Sequence, residues 1–211
     1  MSGGRAAQPA GLACCHGSLA GCSIRVSSRA TRLLSLNHAS HTAPAPFTHR
    51  KRCVMDLSIA IITCSDTRDL ASDEAGAALE ELIRAAGWAV ASHVVVRDDV
   101  NQIADAIIEA ADLHGAHIVI TCGGTGLSLR DVTPEATRMA CSREVPGIAE
   151  AMRAYSMTKT PRAMLSRAVC MQRGATLVIN FPGSTKAARE CWEAVASQFE
   201  HAVHMTFGGG H

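Results

Sequence analysis

The chain has 211 residues, 20 Lys and Arg against 19 Asp and Glu, a net charge of +1 and 3% aromatic residues. That length supports one domain with a sizeable core, and apolar content carried by Ala, Val, Ile, Leu and Met favours α/β layers over an all-β packing. No apolar run approaches the ~20 residues needed to cross a bilayer, so no membrane partner is expected.

The balanced charge conceals two unlike parts. Residues 1–55 contain Arg5, Arg25, Arg29, Arg32, Arg50, Lys51 and Arg52 and no acidic residue, which leaves 13 basic and 19 acidic residues, a net −6, for the rest. A weakly acidic body lacks the basic face that nucleic-acid binding needs. Residues 1–54 are rich in Ser, Ala, Gly, Arg and His without periodicity, and are expected to be disordered. An Arg- and Ser-rich leader without acids fits an organelle transit segment, a functional tail, or an upstream stretch before a start at Met55. The last reading is favoured, because Met55 runs almost directly into a strand. Residues 55–211 then form the domain.

Nine cysteines are present, five of them in the body: Cys64, Cys122, Cys141, Cys170 and Cys191. The body has no C-x-x-C pair, so zinc has little support and free apolar thiols in a reducing, cytoplasmic compartment are expected.

From residue 56 strands and helices alternate. "LSIAIIT" (57–63) reads as a buried strand. Residues 73–86 have helical apolar spacing stopped by Gly87. "AVASHVVV" (89–96) is a second strand, 100–113 a helix and "AHIVIT" (116–121) a third strand. Pro134 suits the first turn of a helix, another helix covers 146–155, "TLVINF" (176–181) is a strand and 184–204 a long closing helix. The alternation predicts a three-layer α/β/α domain with a mostly parallel sheet. Ligands in such sheets sit beyond the strands' carboxyl ends. The polar segments Thr63–Asp69, Arg97–Asp99, Thr121–Asp131 and Phe181–Lys186 should therefore converge.

The segment "TCGGTGLSLRDVTPEAT" (121–137) follows a strand. Gly123, Gly124 and Gly126 can adopt positive φ and turn backbone N–H groups toward an anion. The loop is neither a P-loop nor G-x-G-x-x-G, and a tight turn without a ligand remains an alternative. Asp131 beside a phosphate loop calls for a cation such as Mg²⁺ between them. Its alternatives are a salt bridge with Arg130 or a helix cap. Asp98 and Asp99 supply a second carboxylate, and one of the two can equally be a solvated helix start.

The same segment resembles the G-G-T-G-x-x-x-R-D-V-T-P-E-A signature of the MogA/MoaB family, which includes the G domains of gephyrin and plant Cnx proteins. "TCSDT" (63–67), "SDEAG" (72–76), "VVRDD" (95–99), "TPRAMLSRAV" (160–169) and "NFPGSTKAARECWEAV" (180–195) are similar to further family segments. The resemblance implies a molybdopterin adenylyltransferase that joins AMP from Mg-ATP to the molybdopterin phosphate and releases pyrophosphate. It also implies a homotrimer and a downstream molybdate-insertion protein. A non-catalytic molybdopterin carrier is the alternative. By the same resemblance Asp98 and Asp131 hold Mg²⁺ and, with Ser166, act in catalysis; Ser166 matches a position linked to the pterin, or is an ordinary loop hydroxyl. The resemblance further implies that Ser65, Asp66, Asp73, Gly76, Gly123, Gly124, Thr125, Gly126, Gly183 and Ser184 bind substrate or nucleotide. Asp73 can also be a plain N-cap, and Ser184 a helix cap. Cys122 and Arg97 depart from the family pattern, where a small residue and a proline are usual.

Overall fold

The computed structural model describes residues 56–209; the expectations for residues 1–54 lie outside them. Strands β1 (Ser58–Cys64), β2 (Ala89–Val96), β3 (Ile118–Cys122), β4 (Arg143–Glu144), β5 (Cys170–Arg173) and β6 (Thr176–Phe181) form one sheet in the order β2-β1-β3-β6-β5-β4. β2, β1, β3 and β6 are parallel, whereas β5 and β4 add antiparallel pairings at one edge. The helices are α1 (Glu74–Ala85), α2 (Val100–Asp112), α3 (Thr133–Ala140), α4 (Pro146–Met157), α5 (Thr185–Val195) and α6 (Phe199–Thr206).

Successive strand residues point to opposite faces, and both faces are covered. Ile59, Ile61, Ile118, Ile120, Leu177 and Ile179 pack with residues of α1, α4, α5 and α6. Ala60, Ile62, Val119 and Val178 pack with Ile103, Ala104 and Ile107 of α2 and Ala136 and Ala140 of α3. The expected three layers are therefore present, and the continuous apolar runs mark strands buried on both sides.

Three expectations are corrected. The closing helix is not continuous: a 3-10 turn at Ala196–Gln198 separates α5 from α6. The bend brings Phe199 against Trp88 and Trp192, with ring centroids 5.9 and 5.6 Å away. β3 starts two residues later than the sequence suggests and runs through Cys122, which pairs with Thr63 and Phe181. β4 and β5 were not foreseen, because two- and four-residue strands carry almost no periodicity; Gly174, with φ 55°, turns β5 into β6.

Two buried polar groups tie the layers together. Asp73 is 2% exposed and caps α1, accepting from the Gly76 N–H at 3.0 Å. Its Oδ2 accepts from Thr63 Oγ1 at 2.5 Å and lies 2.9 Å from His93 Nε2, so β1, β2 and α1 meet at one carboxylate. Burial works against this charge, but the hydrogen bonds from Thr63, Gly76 and His93 outweigh it and hold the pKa below the ordinary 3.8. Asn180 donates to Thr121 Oγ1 at 2.9 Å and Thr137 Oγ1 at 2.8 Å and accepts from the Val169 N–H at 3.2 Å. It joins β3, β6, α3 and the segment entering β5.

Removing a buried, multiply bonded carboxylate leaves its donors unsatisfied. Asp73→Ala should cost about 3 kcal/mol in denaturant unfolding at neutral pH. Because the folded pKa lies below the unfolded one, the contribution is complete above about pH 4–5 and fades as pH falls through the folded value. The gap between wild type and Asp73→Ala should narrow in acid; a constant gap would assign the loss to packing alone.

Candidate active site

The carboxyl ends of β1, β3 and β6 surround a cavity of about 350 Å³ lined by Cys64, Ser65, Thr67, Arg68, Gly123–Gly126, Asp131, Gly183 and Ser184. Beside it lies an acidic cleft with Asp66, Arg97, Asp98, Asp99 and Arg130. The four polar segments thus converge as the topology predicts. The glycine loop stands at the switch point, where β2 lies on one side of β1 and β3 on the other.

The first glycine is dictated by space. Gly123 has φ 113°, and a Cβ there would stand 2.5 Å from the Cys64 carbonyl oxygen. Its N–H donates to the Phe181 carbonyl at 3.0 Å, so it closes the β3–β6 ladder and is not an anion donor. Gly124 has φ 62°, and a Cβ there would collide with Thr133 Oγ1 at 2.3 Å. Gly126 does not have positive φ, contrary to expectation; its smallness makes room for Asp131, whose Oδ2 would be 2.8 Å from an added Cβ. Among the described residues, no protein acceptor meets the N–H groups of Gly124, Thr125 or Gly126. Thr133 braces the loop from behind: its Oγ1 donates to the Gly123 carbonyl at 2.9 Å and its N–H to that of Gly124 at 3.1 Å.

The carboxylates now separate. Among the described residues, Asp131 caps no helix and its carboxylate pairs with no arginine; its Oδ2 accepts from the Ser128 N–H at 2.9 Å. Arg130 instead reaches across to Asp66, donating from Nε at 2.8 Å. Asp99 caps α2, accepting from the Asn101 and Gln102 N–H groups at 3.1 and 3.0 Å. That leaves Asp98. Its Oδ1 is buried without a hydrogen-bond partner among the described residues and would be 3.1 Å from a Cβ on Gly124. Burial and the neighbouring charges of Asp66 and Asp131 hold its pKa above the ordinary 3.8, partly offset by Arg130 and the Asp66 backbone. An orphaned buried carboxylate oxygen at a phosphate-type loop fits a cation. Among the described residues, no group of three or more His, Cys, Asp or Glu forms a metal cage. The donor set therefore fits Mg²⁺ shared with phosphate oxygens better than a protein-only site.

The remaining candidates divide. Gly183 touches the loop backbone, since a Cβ there would lie 3.1 Å from Gly123 Cα. Ser184 caps α5 through the Ala187 N–H at 3.3 Å, and the start of that helix faces the cavity. Ser65 lines the cavity while its Oγ accepts from the Thr67 and Arg68 N–H groups. Asp66 lies in the acidic cleft. Asp73 and Gly76 line neither cavity: Asp73 belongs to the buried cap, and a Cβ on Gly76 would overlap Asp73 and His93. Ser166 lines a second cavity of about 230 Å³, with an apolar floor that includes Ala149, Met152 and Pro182. Thr125 is shared by both cavities. Cys122 points into the core and donates to the Pro182 carbonyl at 3.3 Å. Burial pushes the Cys64 and Cys122 thiols up to about 12, so neither is a nucleophile at neutral pH. Sequence reasoning missed Arg68, Thr133 and Arg167 as site residues. Arg167, inside the quoted "TPRAMLSRAV", spans the glycine loop from below.

Two substitutions separate space from chemistry. Gly123→Ala should cost about 2 kcal/mol or more, because both φ and the Cys64 carbonyl oppose it. Gly126→Ala meets only a movable carboxylate, so unfolding should change by less than about 1 kcal/mol while binding of a phosphate ligand is lost. Equal stability losses in the two proteins would refute this division.

Residues 60–201 match the family described as a probable molybdopterin binding domain. The chain is 34% identical over 156 residues to a molybdopterin adenylyltransferase of Helicobacter pylori, covering 72% of this chain and 89% of that protein. It is 36% identical over 143 residues to molybdenum cofactor biosynthesis protein B of Bacillus cereus, covering 67% and 85%. The molybdopterin biosynthesis enzyme MoaB of Thermus thermophilus superposes with a TM-score of 0.67 at 41% identity, covering 72% of this chain and 97% of that one. The Mog protein of Mycobacterium ulcerans superposes equally well, at 0.67 and 33% identity, covering 71% and 99%. The strand order, the glycine loop and these relatives agree: the chain belongs to the MogA/MoaB family of molybdopterin-binding domains.

Proposed function

We propose that the protein is a molybdopterin adenylyltransferase, transferring AMP from ATP to the terminal phosphate of molybdopterin. The observation that carries this reading is Asp98 Oδ1, buried, unpartnered and aimed at the glycine loop. A carrier that only held the pterin would gain nothing from a buried carboxylate oxygen left without a partner beside a phosphate site. The adenylyltransferase among its relatives supports the same reading.

An oxygen of the molybdopterin phosphate attacks the α-phosphorus of ATP. The new O–P bond forms as the bond to the β-phosphate oxygen breaks, and pyrophosphate leaves with the electron pair. No proton has to move when the attacking phosphate is a dianion. The difficulty is bringing two anions together, so positioning and charge neutralisation carry the rate. The free N–H groups of Gly124, Thr125 and Gly126 and the start of α5 cradle the phosphates. Arg68, donating to the Gly183 carbonyl at 3.0 Å, adds positive charge at the rim. Asp98 and Asp131 would hold Mg²⁺, which screens phosphate charge and supports the departing pyrophosphate when bound. The cavity lined by Ser166 takes the pterin body, and Thr125 joins the two ligands' sites. We further infer a cytoplasmic homotrimer whose product passes to a molybdate-insertion protein; sedimentation at other than three subunits would remove the trimer.

The direct test is pyrophosphate release by the full chain with Mg-ATP and purified molybdopterin. Release should require molybdopterin, and Asp131→Asn should lower it by at least about 100-fold with the fold intact. Tight molybdopterin binding without release would favour the carrier.

Asp98→Asn should raise the melting temperature of the ligand-free protein, because it removes a charge that burial and the neighbouring Asp66 and Asp131 disfavour. The same change should abolish the Mg²⁺ dependence of ATP binding. Catalysis needs ionised Asp98, whose pKa is raised, so activity should fall on acidification at a higher pH than an ordinary carboxylate would give. Added Mg²⁺ should move that limb to lower pH. A limb indifferent to Mg²⁺ would separate Asp98 from the cation.

A further inference from the structure

We propose that Arg167 is the positioning residue that fixes Asp131 and the glycine loop in working geometry, an inference that rests on reading that loop as the site of adenylyl transfer. Arg167 follows the 3-10 turn Pro161–Leu165 and Ser166, which lines the cavity assigned to the pterin. Its backbone N–H donates to the Thr125 carbonyl at 3.0 Å. Its Nε donates to the Gly126 carbonyl at 2.7 Å and its Nη2 to the Asp131 carbonyl. Its Nη1 donates to Glu135 Oε1 at 2.6 Å. One guanidinium therefore grips both ends of the segment 126–131 and the first turn of α3.

The consequence for Asp131 is direct. That carboxylate is held over Gly126 by the Ser128 N–H, and the Asp131 N–H donates back to the Ser128 carbonyl at 3.0 Å. These are local turn bonds that fix its shape but not its distance from Gly126. The distance is set by whatever spans Gly126 and Asp131, and Arg167 spans them. The ion pair with Glu135 does not explain this geometry, because the two side chains are 35% and 46% exposed and a pair that open to solvent is worth little. The carbonyl contacts need a rigid fork with several donors, which lysine lacks. Ser166, the preceding residue, lines the pterin cavity, and Thr125 lines both cavities. Arg167 thus stands between the two ligand sites while touching neither reacting group.

Arg167→Lys keeps the charge and removes the span. In the full chain it should lower kcat for pyrophosphate release by about 100-fold, the scale of a misplacement near 1 Å, with KM for ATP within about 3-fold. Glu135→Gln, which leaves the carbonyl contacts in place, should stay within about 3-fold of wild type in both parameters. The solvent-exchange rate of the Ser128 amide, read by NMR, reports whether its bond to Asp131 persists. It should rise at least about tenfold in Arg167→Lys, while the Val178 amide in β6 keeps its wild-type protection. Wild-type kcat with an unchanged Ser128 rate would overturn the proposal. So would loss of protection spread equally to Val178, because Arg167 would then serve general stability. If the wild-type protein itself released no pyrophosphate, the transferase reading would fail separately. The Ser128 rate would still decide: a rise confined to the loop supports positioning, and no rise refutes it.

Discussion

There is no room for a side chain where β1, β3 and β6 end. A Cβ on Gly123 would stand 2.5 Å from the Cys64 carbonyl, and one on Gly183 would stand 3.1 Å from Gly123 Cα. Three strand ends therefore touch through their backbones, and the chain leaving β3 must turn with positive φ at Gly123 and Gly124. The turn has two results. It leaves the N–H groups of Gly124, Thr125 and Gly126 without a protein acceptor among the described residues, in a segment that lines the cavity. It also brings Asp98, from the end of β2, against Gly124 and Asp131, from the far side of the loop, against Gly126.

Such a loop would not hold its shape unaided. Thr133 binds its first two carbonyls, Arg167 binds carbonyls further along, and Asn180 joins the strands and helix behind it. Every one of these partners is satisfied, whereas Asp98 Oδ1 is not. The protein sets one unpartnered carboxylate oxygen within a bonded frame, which is the arrangement expected where stability is given up for a cationic, anion-bearing ligand.

Much of this is legible in the sequence because it depends on local rules. Alternation of apolar runs gave the four parallel strands, with 89–96 and 176–181 matching to the residue. The convergence of four polar segments followed from parallel topology alone. The glycine loop could be read for its freedom but not for the reason at each position: Gly126 is small for the sake of Asp131, and Gly123 closes a ladder rather than cradling an anion. Adjacent Asp98 and Asp99 are equivalent on paper, and only the start of α2 shows that Asp99 is spent on capping. Asp73 and Arg167 look alike as charged residues near motif positions, yet one is sealed under α1 and the other spans the loop. Those distinctions depend on contacts between residues far apart in the chain, for which single-sequence periodicity has no signal. Asn180, a polar residue within an apolar strand, is the exception that could have been flagged.

The central claim is that the glycine loop binds phosphate with a cation shared between Asp98 and the nucleotide. A crystal structure with Mg²⁺ and a non-hydrolysable ATP analogue tests it most directly. The account predicts phosphate oxygens on the N–H groups of Gly124, Thr125 and Gly126, and Asp98 Oδ1 about 2.1 Å from the metal. Phosphates lodged instead in the cavity lined by Ser166, or an Asp98 oxygen still without a ligand, would contradict it.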